Sequence, residues 1–278
     1  MLKIYCDPLN AFVELPERPR RIVSLVAGFT ETLVEIGYGN AIVGVSEFCP
    51  RFTPELQAPV IGDYLKVDRE RLAAVQPDLL LATTGIQRGL AQKLHKEGLP
   101  VYVLPLPNSL HGILENVLTL GALVDDLPAA RALAQRWEQR FLELKAGAPE
   151  PNPRVYAELW LGRHVRMAGG LTFVNDLIEA AGGENVFGDV RAGYLSLDLP
   201  EAARRRPDIF LCFSEPEYPV QATDLQRERG WTFQTLQADV TPSHNIIHDG
   251  PSMMAAAQWL HRSLQAIWYP KNTSEESI

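Results

Sequence analysis

Cysteine is scarce in this sequence, and its positions exclude a disulfide framework. The chain has 3 cysteines, Cys6, Cys49 and Cys212, which lie far apart and form no C-x-x-C pair. An odd number of widely spaced cysteines leaves the redox compartment open. Cys212 lies within an apolar run, so we expect its side chain to be buried.

Long apolar runs are missing as well. The sequence contains no run of about 18 or more apolar residues, so it predicts no membrane-spanning helix. The N-terminal stretch MLKIYCDPLNAFVELPERPRR lacks the apolar core of a secretion signal. We therefore expect either a protein that stays in the cytoplasm or one from which a signal has been removed.

Positive charge is in the minority. The chain has 26 Lys and Arg residues against 34 Asp and Glu, which gives a formal net charge of -8. Nucleic-acid binding depends on a basic surface, so this balance argues against DNA or RNA as the main partner. The basic run RRR at 204–206 is better explained as the solvated end of a helix.

Catalytic and phosphate-binding motifs are also absent. The sequence has no G-x-S-x-G, no H-E-x-x-H and no G-x-x-x-x-G-K-[ST] pattern. In GYGNAIVG, at 37–44, the third glycine comes too late for a dinucleotide-binding loop. The acidic residues and histidines form no recognisable catalytic arrangement, so we predict that the protein is not an enzyme.

The chain does contain an alternation of strand and helix patterns. RIVSLV (21–26) and AIVGV (41–45) are typical of buried strands, and FTETLVEIGYG between them predicts a helix with Thr30 as its N-cap. Further helix and strand patterns follow, up to VYVLPL (101–106). This order predicts a parallel sheet that is covered on both faces.

A long helical region separates this part of the chain from a second α/β part. Within it, Asp126 can cap a helix that has Pro128 in its first turn and ends at Gly147. The segment APEPNP then interrupts the pattern before RVYAELW restarts it as a strand.

These patterns predict an α/β fold of two lobes with mainly parallel central sheets, bridged by one long helix. The expected N-terminal lobe is 1–108, and the expected C-terminal lobe is 151–278. The helical segment, with the bridging helix, is expected at 109–150.

The second lobe repeats motifs of the first. YLKVDRERLAAVQPDLLLA begins at Tyr64, and YLSLDLPEAARRRPDIFLC begins 130 residues later, at Tyr194; the two align without a gap. TETLVEIGYGNAIVG (30–44) and VNDLIEAAGGENVFG (174–188) align at an offset of 144 residues. Two matched segments in the same order favour two lobes of similar build with something held between them. The alternative is that both are generic strand–helix units.

Three stretches also carry a resemblance to a known family. RRIVSLVAGFTETLVEIGYGNAIVGVSEFC, the Pro-Asp-Leu stretch and AGGENVFG resemble the periplasmic-type solute-binding proteins of the cobalamin, haem and iron–siderophore import group. The similarity extends from about residue 19 to 268. It implies two α/β lobes joined by a long helix, with the ligand in the cleft and little hinge motion. It also implies an extracytoplasmic location and delivery of a metal chelate to an ABC importer.

The two tyrosines of the repeat are the first candidates for the ligand site. Tyr64 and Tyr194 come just before expected helix starts at Asp68 and Asp198. Parallel sheets bind ligands in the loops at their carboxyl ends, and a pair of aromatic rings suits a flat corrin or porphyrin. The resemblance implies the same role, because the cobalamin-binding relatives have aromatic residues against the ligand here. The alternative is that each ring packs within its own lobe.

Five further ligand-binding candidates follow from loop position. Phe48 and Cys49 come after a strand, where the resemblance implies an aromatic-rich loop with a proline. Gly28 and Phe29 lie at the start of a helix, whose backbone N–H groups can bind a polar ligand edge. Gly169, in RMAGGLTF, offers the corresponding approach in the second lobe.

Two histidines lie four residues apart in SHNIIHDG, at 243–250. On a helix His244 and His248 would face one side and could share a metal, but proline and glycine bracket the segment. We therefore expect a loop that contributes both to the ligand site, with structural histidines as the alternative and no metal site made by protein alone. The resemblance to haem-binding relatives adds Tyr64, His164 and His244 as possible ligands of haem iron.

Docking to a transporter is implied by the resemblance alone. Family members present one glutamate per lobe, at the start of a helix, to arginines of the membrane subunits. Glu70 has the expected spacing, seven residues before Pro77. In the second lobe Pro200 takes that position, and Glu201 follows it in a capping-box pattern with Asp198, which would use its carboxylate locally. Solvated helix-end carboxylates are the alternative for both.

Taken with the resemblance, the sequence predicts a monomeric solute-binding protein that captures a corrinoid, cobalamin first, without an intrinsic cofactor. Its expected partner is the permease dimer of an ABC transporter. Ferric siderophore and haem are the alternative ligands, because the chain has Ala27-Gly28 where the family usually has Pro-Ser. The alternatives of another class are a cytoplasmic corrinoid- or metal-handling enzyme and a sensory module without an importer.

Overall fold

The computed structural model describes residues 1–148 and 151–268, which fold as two compact units. The first unit comprises Met1–Pro107, His111–Arg136 and His248–Ser252; of the described residues, the second comprises Asn108–Leu110, Trp137–Ile247 and Met253–Trp268. The sequence placed residues 248–252 in the C-terminal lobe, whereas in the structure they pack with the first unit. The expected limits at 150 and 278 lie outside the described residues.

The strands of the first unit form a hairpin and a parallel sheet. They are β1 (Leu2–Cys6), β2 (Ala11–Leu15), β3 (Ile22–Ser24), β4 (Ile42–Ser46), β5 (Val60–Gly62), β6 (Leu79–Thr83) and β7 (Val101–Leu104). β1 and β2 pair antiparallel, whereas the larger sheet has the order β5-β4-β3-β6-β7 with every neighbour parallel. Every residue of β3 and β6 is buried, as expected for a parallel sheet covered on both faces.

The helices of the N-terminal half are α1 (Ala27–Glu35), α2 (Arg69–Val75), α3 (Arg88–Lys96), α4 (Leu110–Leu123) and α5 (Leu127–Ala146). The predicted ends of α5 are confirmed. The Asp126 carboxylate accepts a hydrogen bond from the Ala129 N–H (3.2 Å), Pro128 lies in the first turn, and Gly147 follows the last residue. Residues 127–136 of α5 belong to the first unit and 137–146 to the second.

Helix α1 begins earlier than the sequence predicted. Thr30 was expected as the N-cap, but the helix starts at Ala27 after an extended Val26. The Thr30 hydroxyl donates to the Val26 carbonyl (3.0 Å) and lies 2.8 Å from the Ser24 hydroxyl. A threonine that bonds the carbonyl four residues back is satisfied inside a helix, so it does not mark the start.

The second unit contains a mixed sheet. Its strands are β8 (Arg154–Leu161), β9 (His164–Ala168), β10 (Glu184–Asn185), β11 (Tyr194–Leu195), β12 (Ile209–Ser214) and β13 (Gln234–Ala238), and its helices are α6 (Phe173–Ala180), α7 (Leu199–Arg204), α8 (Ala222–Glu228) and α9 (Met253–Trp268). The order is β11-β9-β8-β12-β13, with β10 also paired to β8. β8, β10, β12 and β13 pair parallel, whereas β9 pairs antiparallel with β8 and with β11.

The antiparallel hairpin of β8 and β9 was not expected from the sequence. Its two-residue turn is Gly162-Arg163, and Gly162 has a φ of +58°, which favours glycine. The two α/β units with mainly parallel sheets are nevertheless those that the sequence predicted. Within the parts of the chain that the structure describes, none of the helices has both the length and the apolar character to cross a bilayer.

The repeated Pro-Asp motif performs the same structural task in both units. The Asp78 carboxylate accepts hydrogen bonds from the N–H groups of Arg20 and Arg21 (2.9 Å each), directly before β3. The Asp208 carboxylate accepts one from the N–H of Arg154 (2.8 Å), the first residue of β8. Each aspartate N–H also donates to the carbonyl of Arg21 or Arg154. The motif therefore fixes the start of a central strand.

Replacing Asp78 or Asp208 by alanine should lower the free energy of unfolding by about 1–3 kcal/mol at each site, because backbone N–H groups lose their acceptor. Urea denaturation of the two variants measures this. Asp224→Ala is the control, because Asp224 forms an exposed ion pair with Arg227 and should cost at most about 1 kcal/mol. A loss at one Pro-Asp motif and none at the other would contradict the shared role.

Candidate functional site

Two predicted site residues of the first unit, Phe48 and Tyr64, stack on each other. Ser46 and Gly62 are register partners at the ends of β4 and β5, and each aromatic residue follows its strand end by two positions. Because parallel strands end at the same edge of the sheet, the rings meet there, with centroids 4.5 Å apart and planes inclined by 12°. We call this pair the aromatic stack; both residues are half-buried.

A tight turn holds Tyr64 in place. The Asp63 carboxylate accepts hydrogen bonds from the N–H groups of Leu65 (2.6 Å) and Lys66 (2.7 Å), and the Asp63 N–H donates to the Lys66 carbonyl (2.9 Å). A Cβ on Gly62 would overlap that same carbonyl, so the start of the turn requires glycine. The ring of Tyr64 therefore projects from a backbone that is fixed on both sides.

Cys49 lies in the connection from β4 to β5, next to Phe48 in the chain. The residue is fully buried, and its sulfur lies 3.1 Å from the Thr30 hydroxyl oxygen and 3.1 Å from the Ser46 hydroxyl oxygen. Its carbonyl accepts the Phe52 N–H and the Thr53 hydroxyl (3.0 Å each). Cys49 was predicted to bind ligand, but its thiol has no exposed surface in this structure. It anchors the connection from β4 to β5 instead.

Native thiol reactivity should be low. Cys6, Cys49 and Cys212 are buried, and burial raises the pKa of each thiol, that of Cys212 to about 12. Since the thiolate is the reactive form, we expect slow reaction with Ellman's reagent in the native protein and reaction of all 3 thiols in guanidinium chloride. Rapid release of one equivalent of chromophore before denaturation would contradict this burial.

Gly28 and Phe29 lie in the covered first turn of α1. A Cβ on Gly28 would lie 2.8 Å from the carbonyl carbon of Asp249, and Phe29 is only 1% exposed. Burial raises the pKa of the Asp249 carboxyl, and neighbouring His248 lowers it in part. The turn that was expected to meet a ligand is therefore packed against the segment 248–252.

His248 binds the segment 248–252 to the rest of the first unit. Its Nε2 lies 2.7 Å from the Glu31 carboxylate, and its ring stacks on Phe52 at 3.8 Å. Glu31 also accepts hydrogen bonds from the N–H (3.0 Å) and hydroxyl (2.9 Å) of Ser252. One carboxylate thus binds both ends of the five-residue segment, which explains why the chain returns here. The side chain of His248 is used structurally.

Tyr194 of the second unit is exposed, as a ligand-contacting ring must be. It is the first residue of β11, pairs with Ala168 of β9 and is 36% exposed. Gly169 is needed directly beside it, because a Cβ there would lie 2.6 Å from the Gly193 carbonyl oxygen. The Gly169 N–H donates to that oxygen (3.0 Å). Gly169 therefore permits the close backbone packing that positions Tyr194.

His244 belongs to the second unit, whereas His248 belongs to the first. The segment between them forms turns and no helix, as expected. His244 Nδ1 lies 3.2 Å from the Thr241 hydroxyl, and its ring contacts Trp259 edge-on at 4.7 Å. In the ranges 1–148 and 151–268, no three His, Cys, Asp or Glu side chains converge to form a metal site.

The strand-end loops also carry exposed apolar side chains, which the sequence did not predict as part of the site. Loops after β5, β6 and β7 of the first unit carry Leu65, Ile86 and Leu106, which are 60%, 69% and 46% exposed. In the second unit the exposed apolar residues include Leu171, Leu197 and Tyr218. In the first unit these side chains face water at the carboxyl ends of parallel strands, which is typical of a ligand-binding edge.

The two candidate docking glutamates differ in their surroundings. Glu70 lies exposed in the first turn of α2, where its N–H is bonded to Asp68. Glu201 is 24% exposed, and its carboxylate is paired with Arg204 and with Arg205 (2.8 Å). Asp198 caps the Glu201 N–H (3.0 Å), so half of the predicted capping box forms while the carboxylate is used by arginines.

A cavity of about 570 Å³ lies elsewhere in the first unit, between α1 and the loop at 52–57. Three carboxylates line it with apolar side chains; its lining includes Glu31, Glu35, Glu55, Phe52 and Leu56. The predicted ligand-binding residues are not part of this lining. The strand-end loops, with the aromatic stack, remain the candidate site.

Comparison with known proteins identifies the family. The family model described as periplasmic binding protein matches residues 22–237. The chain is 30% identical over 210 residues to a cobalamin-binding protein of Halobacterium salinarum, an alignment that covers 73% of this chain and 56% of that protein. It is 26% identical over 196 residues to a vitamin B12-binding protein of Vibrio parahaemolyticus, covering 69% and 70% of the two chains. The chain thus spans just over half the length of the Halobacterium relative.

Solved structures share the fold. The periplasmic haem-binding protein of Pseudomonas aeruginosa superposes with a TM-score of 0.73 at 22% identity, covering 91% of this chain and 94% of that one. The periplasmic vitamin B12-binding protein of Vibrio cholerae gives a TM-score of 0.68 at 19% identity, covering 91% and 100%. These relatives are binding proteins, which agrees with the prediction that the chain is not an enzyme. The chain belongs to the periplasmic binding protein family.

Proposed function

We propose that this protein is the solute-binding component of an ABC importer and that its ligand is a corrinoid, cobalamin in the first instance. The observation that carries the proposal is the aromatic stack at the carboxyl ends of β4 and β5. The proposed ligand contacts are Phe48 and Tyr64 in the first unit and Tyr194 in the second. Gly28, Phe29, Cys49, Gly169 and His248 act through packing.

The chemistry of the aromatic stack suits a flat macrocycle. Aromatic rings offer broad apolar contact at a low cost in side-chain entropy, and a tyrosine hydroxyl can bond a polar rim. Each ring of the stack is held against the other, so little ordering of either side chain is needed when a ligand binds. The exposed side chains of Leu65, Ile86 and Leu106 would lose contact with water on binding, which adds to the affinity.

Sequence similarity favours a corrinoid over haem. The relatives that are 30% and 26% identical are named for cobalamin or vitamin B12, whereas the haem-binding structures, at 22% identity or less, support the fold alone. Haem would need an axial His, Tyr, Cys or Met, and Tyr64, His164 and His244 are the candidates for that role. Haem and ferric siderophore are the second candidates.

Docking is proposed to depend on Glu70 more than on Glu201. Glu70 is exposed, whereas Glu201 would have to exchange Arg204 and Arg205 for a transporter arginine. We therefore expect Glu70→Gln to weaken stimulation of the importer ATPase in proteoliposomes more than Glu201→Gln does. Equal effects of the two substitutions would show that Arg204 and Arg205 do not compete with a transporter arginine for Glu201. A monomer outside the cytoplasm is the proposed working form.

A ligand panel tests the proposed function. Purified protein is mixed separately with cyanocobalamin, haemin and a ferric siderophore, desalted, and its absorbance spectrum is recorded. We expect cyanocobalamin to elute with the protein at one equivalent. Retention of haemin alone would overturn the corrinoid assignment, and retention of none of the three would overturn the function as a chelate-binding protein.

A further inference from the structure

An arginine neighbours Tyr194 in the mixed sheet of the second unit. In the antiparallel pair of β9 and β11, Tyr194 is the register partner of Ala168. Arg166 comes two residues before Ala168, and residues two apart on a strand share a face, so Arg166 is the diagonal neighbour of Tyr194. Such neighbours lie about 7–8 Å apart, which a long side chain can span. The edge of this sheet, where β11 is the last strand, thus carries a phenol and a guanidinium together.

The opposite face of the same two strands belongs to the core. Met167 and Leu195 are also register partners, and they pack in the cluster around Tyr156. Arg166 and Tyr194 alternate with them along the strands, so they lie on the face that turns away from this cluster. Tyr194 is 36% exposed, and Arg166 is half-buried. A ligand that contacts the ring of Tyr194 therefore meets the face that carries Arg166.

The backbone at both positions is fixed. The N–H groups of residues 169–171 donate hydrogen bonds of 2.9–3.0 Å to the carbonyls of Val190, Ala192 and Gly193, directly before Tyr194. β9 itself is paired on both sides, with β8 and with β11. The positions from which the ring and the guanidinium project are therefore set before a ligand binds, which lowers the cost of binding.

The guanidinium of Arg166 has one anchored edge and one open edge. Its Nη1 donates to the Val165 carbonyl (2.8 Å), which orients the group. Within residues 1–148 and 151–268, the Arg166 side chain forms no other hydrogen bond and no ion pair. The Nε and Nη2 N–H groups remain, and this edge of a guanidinium matches two oxygens of a carboxylate or a phosphate.

Carboxylates of the neighbouring segments are bound to other arginines. Glu158 of β8 binds Arg229 on the core face, and Asp189, in the loop before β11, pairs with Arg205. A cation that is partly withdrawn from water is normally paired, so a counter-ion supplied by a ligand would complete this site. The chain has a formal net charge of -8, which disfavours an anionic ligand at long range unless a local cation meets it. Arg166 can be that cation.

We propose that Arg166 is a specificity-determining residue that binds an anionic oxygen group of the chelate through its Nε–Nη2 edge. The inference rests on the proposed function, because it assumes that the chelate lies against Tyr194. Such a group has two chemical sources. A complete corrinoid carries a phosphodiester in its nucleotide loop, and haem carries propionate carboxylates. From either source, the guanidinium selects ligands with this charge over similar ligands that lack it.

Two matched ligand pairs test the inference by calorimetric or absorbance titration. Cyanocobalamin is compared with dicyanocobinamide, which lacks the nucleotide loop and its phosphodiester, and haemin is compared with haemin dimethyl ester, which lacks the free carboxylates. Each is titrated into wild type, Arg166→Gln and Arg166→Lys. Arg227→Gln is the control for the loss of one positive charge in the same unit, because Arg227 lies on α8 and its side chain is 79% exposed.

We expect Arg166→Gln to weaken binding of the anionic member of the retained pair by about 5- to 20-fold, as for a charge-assisted hydrogen bond that is partly exposed, and to leave the neutral member within about twofold. Arg166→Lys, which keeps the charge without the planar edge, should fall between wild type and Arg166→Gln. Arg227→Gln should resemble wild type.

Three results would overturn the role of Arg166 while leaving the proposed function intact. They are an equal or greater loss for the neutral member of the pair, no loss for either member, and an equal loss in Arg227→Gln. Unchanged binding of the neutral member also shows that Arg166→Gln is folded. If wild type bound none of the four ligands, the corrinoid assignment and the role of Arg166 would fall together.

Discussion

Replacing Arg229 by methionine should lower the free energy of unfolding by about 3–5 kcal/mol, because it leaves a carboxylate buried without its counter-ion. Glu158 is fully buried in β8, and Arg229, 11% exposed, binds both of its oxygens at 2.8 and 2.9 Å. Two weaker donors would remain, the Tyr156 hydroxyl (2.6 Å) and the Trp160 indole N–H (2.9 Å). Urea denaturation measures the loss.

A neighbouring arginine provides the control for this prediction. Arg227 lies in α8 and pairs with Asp224, but its side chain is 79% exposed. Arg227→Met should therefore change the stability by at most about 1 kcal/mol, as for exposed ion pairs. The double variant Glu158→Leu, Arg229→Met should recover most of the stability, because replacing a whole buried pair by apolar residues is often neutral. Equal losses of stability for Arg227→Met and Arg229→Met would show that breaking the buried ion pair costs no more than breaking the exposed one.

Replacing Tyr64 and Tyr194 together by alanine should weaken ligand binding by about 2–6 kcal/mol, from about 1–3 kcal/mol for each stacking ring by analogy with aromatic–base stacking. The affinity is measured by calorimetric titration with cyanocobalamin. Tyr64→Ala alone also removes the partner of Phe48, so its effect should exceed that of Tyr194→Ala. Each single variant separates the contribution of one unit.

Tyr5→Ala is the matched control for loss of an exposed tyrosine. Tyr5 is 44% exposed in the N-terminal hairpin, where it contacts Phe12 edge-on at 5.2 Å. Its removal should leave the affinity for cyanocobalamin unchanged. Unchanged affinity in the Tyr64 and Tyr194 variants as well would remove both rings from the ligand site.

The architecture could be predicted because it depends on local patterns. Buried strands such as β6 appear as short apolar runs, and the caps at Asp68 and Asp126 are local hydrogen bonds. The repeated Pro-Asp motif revealed the two similar units because Asp78 and Asp208 perform one backbone task. Patterns of this kind need no knowledge of which strands lie side by side.

What could not be predicted depends on pairings between distant segments. Phe48 and Tyr64 were identified separately, but their stacking follows from the register of β4 against β5. The return of 248–252 to the first unit depends on Glu31, which is 217 residues from its partner His248. The position of Cys49 just after a strand does not reveal that its thiol is buried among hydroxyl groups.

Burial also decides which of the predicted site residues are accessible to a ligand. The sequence placed Gly28, Phe29 and His248 in loops at the expected ligand-binding edge of the sheet. In the structure, neighbouring segments cover their side chains or backbone. The sequence shows that a loop follows a strand, but not whether another segment packs over it. The exposed Leu65 and Ile86 illustrate the converse, because exposure of an apolar side chain in a loop has no local signal.

The central claim is that rings at the strand ends bind a flat metal chelate, and calorimetric titration of the intact chain with cyanocobalamin tests it most directly. We expect saturable binding at one ligand per chain with a negative heat-capacity change, because the rings and neighbouring leucines bury apolar surface on binding. A titration that releases no saturable heat with cyanocobalamin, followed by the same result with haemin and a ferric siderophore, would contradict the account.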